Sequence, residues 1–234
     1  MNPFDDSKFR QALNYSIDKE LIASEVLSGL VVPAYGILPP GYPGFNPGLE
    51  GLKYDPEKAK QLLSESKYAD PSSRDRIVIT VPGTGGTIGL DLEVVIEMWR
   101  QVLGVEVQIQ QVEWATYLRD LNKKKFQAFA GLGWSADYPD PSDFLEILFH
   151  TESSQNHLGY HNEEVDSVLE DARIEQDIVE RMTLYRIAEE LIVADAAWLP
   201  LWYTGERYVL IKPHVKDYRV TPMIISKLRH VYLE

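Results

Sequence analysis

Apolar residues recur at helical spacing from the start of the chain. Phe9, Ala12, Leu13 and Ile17 share one face, with Asp5 or Asp6 placed to cap the helix. Asp18 opens a second helix that carries Leu21, Ile22 and Val26 and stops at Gly29. Periodicity then disappears from Gly29 to Lys53. Pro33, Pro39, Pro40, Pro43 and Pro47 exclude regular helix there, and Tyr35, Tyr42 and Phe45 make the stretch an ordered surface excursion rather than a floppy linker. Asp55-Pro56, a cap followed by proline at the first helical position, starts a helix through Ala59, Leu62 and Leu63.

The middle of the chain alternates between the two periods. Ile77 to Val81 is β-branched and apolar, Ile88 to Leu103 has helical spacing through Leu92, Val95 and Trp99, and Val105 to Val112 alternates again. Such a β-α-β unit lays two parallel strands side by side with the helix on one face, which makes the fold class α/β. The pattern further predicts a short helix near Trp114 to Leu121, a strand from Phe126 to Trp134, and helices over Glu163 to Ile174 and Ile178 to Ala194. Asn162 caps the first of that pair, and Asp177-x-x-Glu180 approximates a capping box for the second. Leu199 to Tyr203 and Tyr208 to Ile211 read as strands, after which the pattern fades toward Glu234. No internal repeat or low-complexity tract is present.

With 234 residues, 44% of them hydrophobic and 25% charged, the chain can bury a substantial core. Its net charge of −13 repels phosphate backbones and anionic lipid, and the short Lys123-Lys124-Lys125 run does not reverse this, so nucleic acid is not an expected partner. The absence of cysteine excludes disulfides, thiolate metal sites and cysteine nucleophiles. Met1-Asn2-Pro3-Phe4-Asp5-Asp6 has neither the basic nor the apolar region of a secretory signal.

Four segments carry side chains that could do chemistry. Gly83-Thr84-Gly85-Gly86-Thr87-Ile88-Gly89 lies between a strand and a helix, where backbone amides can hold phosphate, but its glycines have the wrong spacing for a dinucleotide and no Gly-Lys-Ser/Thr follows. A plain β-to-α turn accounts for it. His157 and His161, with Glu163, Glu164 and Asp166 beyond, combine metal-ligand types without a helical His-Glu-x-x-His frame, and read as loop histidines. Asp137, Asp140 and Asp143 are three apart around two prolines. Paired carboxylates of this kind could serve a small hydrolase through Asp137 and Asp140, although capping accounts for Asp140 or Asp143 near a helix start. Finally, Trp134, Asp137 and Tyr138 follow an apolar strand. Aromatic faces beside a carboxylate there could cradle an organic cation or a peptide amino terminus, or Trp134 could complete the core while Asp137 solvates a turn.

The order of motifs supplies what no single one does. Arg10-Gln11-Ala12-Leu13-Asn14-Tyr15-Ser16-Ile17-Asp18, Gly29 followed by Pro33, Leu38-Pro39-Pro40-Gly41 and Tyr54-Asp55-Pro56-Glu57-Lys58-Ala59 resemble the family 5 extracellular solute-binding proteins. So do Gly133-Trp134-Ser135-Ala136-Asp137-Tyr138-Pro139-Asp140-Pro141, Asn162 with Asp166, and Leu199-Pro200-Leu201. The likeness runs in the family's own order over essentially the whole chain.

This resemblance implies a single lobe of the periplasmic-binding-protein type II (cluster C) fold, a mixed sheet flanked by helices. Residues 1–204 would form the second ligand-binding lobe, and residues 205–234 a tail that in intact members returns to the first. The implied role is that of a non-enzymatic receptor for peptides or a related small solute. It would work outside the cytoplasm, in the periplasm or on the cell surface, and deliver to an ABC permease without a cofactor. By position, Asp137 matches the acidic residue that holds the ligand's amino terminus in peptide-binding members, and Trp134 an aromatic lining of the same pocket, with Tyr138 beside them. Gly131 and Leu132 stand where some oligopeptide members carry a basic residue, which leaves a cationic or sugar ligand open. A non-catalytic interaction module is the remaining alternative. The apolar run Tyr208 to Ile211 would lack its sheet in this chain, so it must fold back or meet another chain and give a dimer.

Overall fold

Asp6, not Asp5, caps the first helix: its carboxylate accepts the Phe9 N–H, and α1 runs over Ser7–Tyr15. Asp18 likewise caps a short α2 (Lys19–Leu21), which widens into a π turn over Ile22–Val26 before Gly29 reverses the chain at φ +71°. The computed structural model describes residues 2–205, 209–220 and 228–234. Asp55 caps α3 (Pro56–Glu65) by accepting the Lys58 N–H, with proline at its first turn.

The β-α-β unit predicted by the alternating periods is present. Strands β2 (Ile77–Pro82) and β3 (Val107–Val112) are parallel, paired from Ile77–Val107 to Pro82–Val112, and are joined by α4 (Leu90–Leu103). Helix α5 (Trp114–Asn122) then leads to β4 (Ala128–Phe129), which joins β2 on its other side in parallel, giving the order β3-β2-β4. Right-handed crossovers in opposite directions place α4 and α5 on opposite faces of this sheet. Accordingly, Ile77, Ile79 and Val81 pack with Val95, Trp99 and Leu103 of α4 and with Phe9 and Leu13 of α1. Tyr117 and Leu121 of α5 are buried outside that cluster.

Strand β4 is only Ala128–Phe129, far shorter than the expected Phe126 to Trp134. At Gly131 the backbone enters the left-handed region (φ +83°), which ends the extended run and frees the next residues from the sheet.

A second apolar cluster is built from α6 (Leu145–Phe149), α7 (Glu163–Ile174) and α8 (Ile178–Ala194), around Phe149, Leu169, Tyr185 and Ile192. The bounds of α7 and α8 are those the periodicity predicts. Asn162 caps α7, and Asp177 caps α8 by accepting the Val179 and Glu180 N–H groups. The capping box is not closed, because the Asp177 N–H donates to Glu175 rather than to Glu180.

Two buried titratable groups organise the excursion between β1 (Val31–Pro33) and α3. Glu189 of α8 accepts the Ile37 and Leu38 N–H groups with one oxygen, at 2.7 and 2.8 Å, and burial raises its pKa. Lys19 donates to the Ala34 carbonyl at 3.0 Å. Gly51 closes the excursion where a Cβ would lie 2.1 Å from the Tyr35 carbonyl oxygen, so no other residue fits there.

The two clusters are fastened by one face of α1. Arg10 donates to the Asp195 carbonyl at 2.7 Å, Gln11 to the Ala194 carbonyl at 2.7 Å, and Asn14 to the Trp198 carbonyl at 3.3 Å. Beyond α8, β5 (Trp202–Thr204) pairs antiparallel with β1, slightly later than the predicted Leu199 to Tyr203. Parallel and antiparallel ladders are therefore both present, in separate sheets. The predicted strand at Tyr208 to Ile211 begins outside the described residues, and Val209 to Ile211 form none. The last described segments pair as β6 (Val215–Lys216) with β7 (Tyr232–Leu233).

Candidate functional site

The carboxyl ends of the three parallel strands open on one hollow of about 2450 Å³. Pro82 and Gly83 after β2, Gln111 and Trp114 around the end of β3, and Ala130 after β4 all line it. Both apolar clusters contribute walls, Val81 and Trp99 from one, Phe144 and Leu148 from the other. Enclosed small-molecule pockets occupy roughly 300–1,000 Å³. This hollow is therefore a broad trough at the edge where α/β sheets present ligand contacts, not a sealed cavity.

The glycine-rich turn borders the trough but is already occupied by the protein's own side chains. Gln111 accepts the Gly85 N–H at 2.8 Å and donates to the Gly86 carbonyl at 3.2 Å. At the start of α4 the Asp91 carboxylate folds back so closely that a Cβ on Gly89 would meet it at 2.3 Å. A carboxylate at the helix N-terminus repels a phosphate, so the segment is a β-to-α turn.

The three aspartates, indistinguishable by spacing, separate by environment. Asp140 caps the single turn Pro141–Asp143 and takes both guanidinium nitrogens of Arg181, at 2.6 and 2.9 Å. Burial alone would raise its pKa, but Arg181 and Ser142 outweigh this and hold it below the ordinary carboxylate value. Asp143 is fully buried. One of its oxygens, Oδ2, accepts the Trp134 indole N–H and the Asp137 N–H, each at 3.2 Å, and the other has no partner among the described residues. Burial, aided by Asp137 and Asp140 nearby, raises its pKa against the opposing pull of those two hydrogen bonds. Asp137 is exposed, and its carboxylate has no hydrogen-bond or ion-pair partner among the described residues.

Trp134 lines the trough and packs against the second cluster. Asp137 and Tyr138 lie between Ala136 and Pro139, which both line it, and are themselves exposed. The Tyr138 hydroxyl is 3.2 Å from that of Ser142. Tyr42, from the Pro/Gly-rich excursion, holds this segment from the other side. Its hydroxyl donates to the Tyr138 carbonyl and accepts the Asp140 N–H at 3.1 Å, and burial pushes its pKa up to about 12.

Sequence reasoning missed Tyr42, Arg181 and the role of Asp143. The one available signal was the indole of Trp134, a donor that needs an acceptor when half-buried. His157 and His161 are not brought together as ligands. His161 meets the Thr151 hydroxyl at 3.0 Å, burial and then Lys124 lower the His157 pKa, and no metal-holding group of three or more His, Cys, Asp or Glu side chains occurs among the described residues.

The family model described as bacterial extracellular solute-binding proteins, family 5 middle, matches residues 1–156. Heme-binding protein A of Haemophilus influenzae is 33% identical, covering 94% of this chain and 40% of its own length. The periplasmic oligopeptide-binding protein OppA of Escherichia coli is 30% identical over 99% of this chain and 43% of its own. Among solved structures, the periplasmic binding protein DppA from Helicobacter pylori in complex with peptide STSA superposes with a TM-score of 0.84 at 27% identity, covering 99% of this chain and 44% of that one. The chain thus spans less than half the length of these relatives.

Proposed function

The chain belongs to the bacterial extracellular solute-binding proteins of family 5, and from that premise we propose that it is one ligand-binding lobe of a peptide receptor serving an ABC importer. In this reading residues 1–204 supply the second wall of a cleft, the trough is that wall, and the first wall comes from another lobe. The tail from residue 205 onward is the part that engages that lobe. The receptor works in the periplasm or on the cell surface.

One observation carries the site assignment. Of the three aspartates, only Asp137 keeps its carboxylate exposed and unpartnered among the described residues, three positions after Trp134 and between Ala136 and Pro139, which line the trough. In this reading the exposed carboxylate and the indole of the same segment attract a ligand ammonium through charge and cation–π interaction, with Tyr138 following in the chain. The same geometry weighs against a hydrolase built on Asp137 and Asp140, because both Asp140 oxygens are bound to Arg181 and its low pKa leaves no proton to donate near neutral pH.

With a single wall, affinity is low. Trialanine added to the chain is expected to bind in the millimolar range, about −4 kcal/mol, because closure of two lobes over the ligand supplies most of a receptor's affinity. Asp137→Asn and N-acetylated trialanine should each abolish the chemical-shift changes that report binding. Equal binding of the acetylated peptide would refute the amino-terminus assignment.

A further inference from the structure

We propose that Asp143 is the positioning residue of the ligand wall, locking the Trp134 ring and the Asp137 peptide plane together through a single carboxylate oxygen. The proposal rests on the reading of Trp134 and Asp137 as ligand contacts, and it deepens that reading. Asp143 does not touch ligand, being fully buried.

Asp143 Oδ2 is shared between the Trp134 indole N–H and the Asp137 N–H, each at 3.2 Å, across separations of nine and six residues. This bracket spans a segment that has just left the sheet at Gly131, and it restrains the stretch before the two hydrogen bonds that Tyr42 makes to Tyr138 and Asp140. It sets the indole plane by its only polar atom. It also fixes the backbone of Asp137, so that the carboxylate of that residue stands in solvent rather than turning back onto the N–H groups of its own turn. A short aspartate in a Pro-rich turn readily makes such local bonds, and a preoccupied carboxylate would attract an ammonium less strongly.

Asp143 itself is held from behind. It closes the turn capped by Asp140, which the Arg181 guanidinium anchors to α8, and its side chain is enclosed beside Phe144 and Leu145 of the second cluster. The rigidity of the packed helices is thereby passed to half-buried Trp134 and exposed Asp137. Only an acceptor of this length at position 143 does so. The distinguishing expectation is that asparagine, which keeps a carbonyl oxygen in place of Oδ2, preserves the arrangement, whereas leucine, of similar size, does not.

The test uses the whole chain labelled with ¹⁵N and needs no ligand for its first readout. The Trp134 indole N–H resonance, identified by its loss in Trp134→Phe, should be shifted downfield and slow to exchange in the parent and in Asp143→Asn. In Asp143→Leu it should move to the position of a free indole and exchange faster. An unchanged indole resonance in Asp143→Leu overturns the proposal. If that variant does not fold, Asp143→Ser, whose oxygen is one bond short, takes its place with the same two outcomes. The second readout is trialanine binding followed by chemical shift. A loss of about tenfold in affinity for leucine, with asparagine within about threefold of the parent, supports positioning, and equal affinities overturn it. Should the parent bind no trialanine while the indole resonance behaves as expected, the peptide-ligand reading fails and the bracket stands on the first readout.

Discussion

Three aspartates three residues apart, one fixed by an ion pair, one buried under two donors and one open to solvent, show how little residue type and spacing determine by themselves. The sequence singled out all three, with Trp134, as candidates. What it could not show was that Arg181, 41 residues on, would take Asp140, or that the indole of Trp134 would turn toward Asp143. Lys19 makes the same point with a measurable consequence. It is 2% exposed, and burial lowers its pKa to about 7 from the ordinary 10.5, against the opposing attraction of the Tyr35 ring at 5.2 Å. The folded chain sheds this proton near pH 7 while the unfolded chain keeps it until about pH 10. Between those values the unfolded state binds more protons, and stability contributed by this site rises with pH. Urea unfolding of the parent and of Lys19→Met should show the parent gaining on the variant from pH 6.5 to 9.5, by at most about 1.4 kcal/mol per pH unit. A difference that does not change with pH would refute this.

Elements with sharp signals were legible to within about two residues. Helices α7 and α8 have the bounds their periodicity predicts, and the alternation from Ile77 to Val112 gave a parallel pair with its crossover helix. Capping by Asp55 is of this kind, and its contribution can be isolated. Asp55→Ala removes the acceptor of the Lys58 N–H and should destabilise the chain by about 1 kcal/mol in urea melts. Glu57→Ala, exposed in the first turn of the same helix, should change stability by less than about 0.5 kcal/mol. Equal effects would mean that helix charge, not the cap bond, stabilises α3. The failures have physical causes too. Residues 126–134 are apolar enough for a strand, but Gly131 at φ +83° diverts the chain after two paired residues, and a glycine does not disclose its conformation in sequence. Likewise Asp177 and Glu180 have capping-box spacing, yet Glu175 reaches the Asp177 N–H instead.

At the scale of the molecule, the two apolar clusters and the trough between them follow from tertiary contacts that no periodicity encodes, whereas the class of the fold did not need them. The chain also carries apolar surface that the fold leaves uncovered. Leu210 is wholly exposed, and Val209 and Ile211 beside it are nearly half exposed. Such a run costs free energy in water and is relieved by association. The weight-average mass in sedimentation equilibrium is therefore expected to rise with concentration, and the double substitution Leu210→Ser and Ile211→Ser to suppress the rise. A mass that stays at 26.7 kDa over a wide concentration range would contradict the expectation.

The fastening of α1 to the end of α8 bears on how the chain is made. Arg10, Gln11 and Asn14 each donate to a carbonyl within residues 194–198, some 185 positions later. At the usual pace of roughly 5–20 residues per second, the ribosome needs about 10–40 s to deliver those partners after α1 has emerged. Through that interval the first helix presents its donors, and the apolar face of Phe9 and Leu13, to whatever binds nascent chains. Loop closure over so long a separation also makes for slow folding. The same three hydrogen bonds that unite the two clusters thus oblige α1 to wait for residues 194–198.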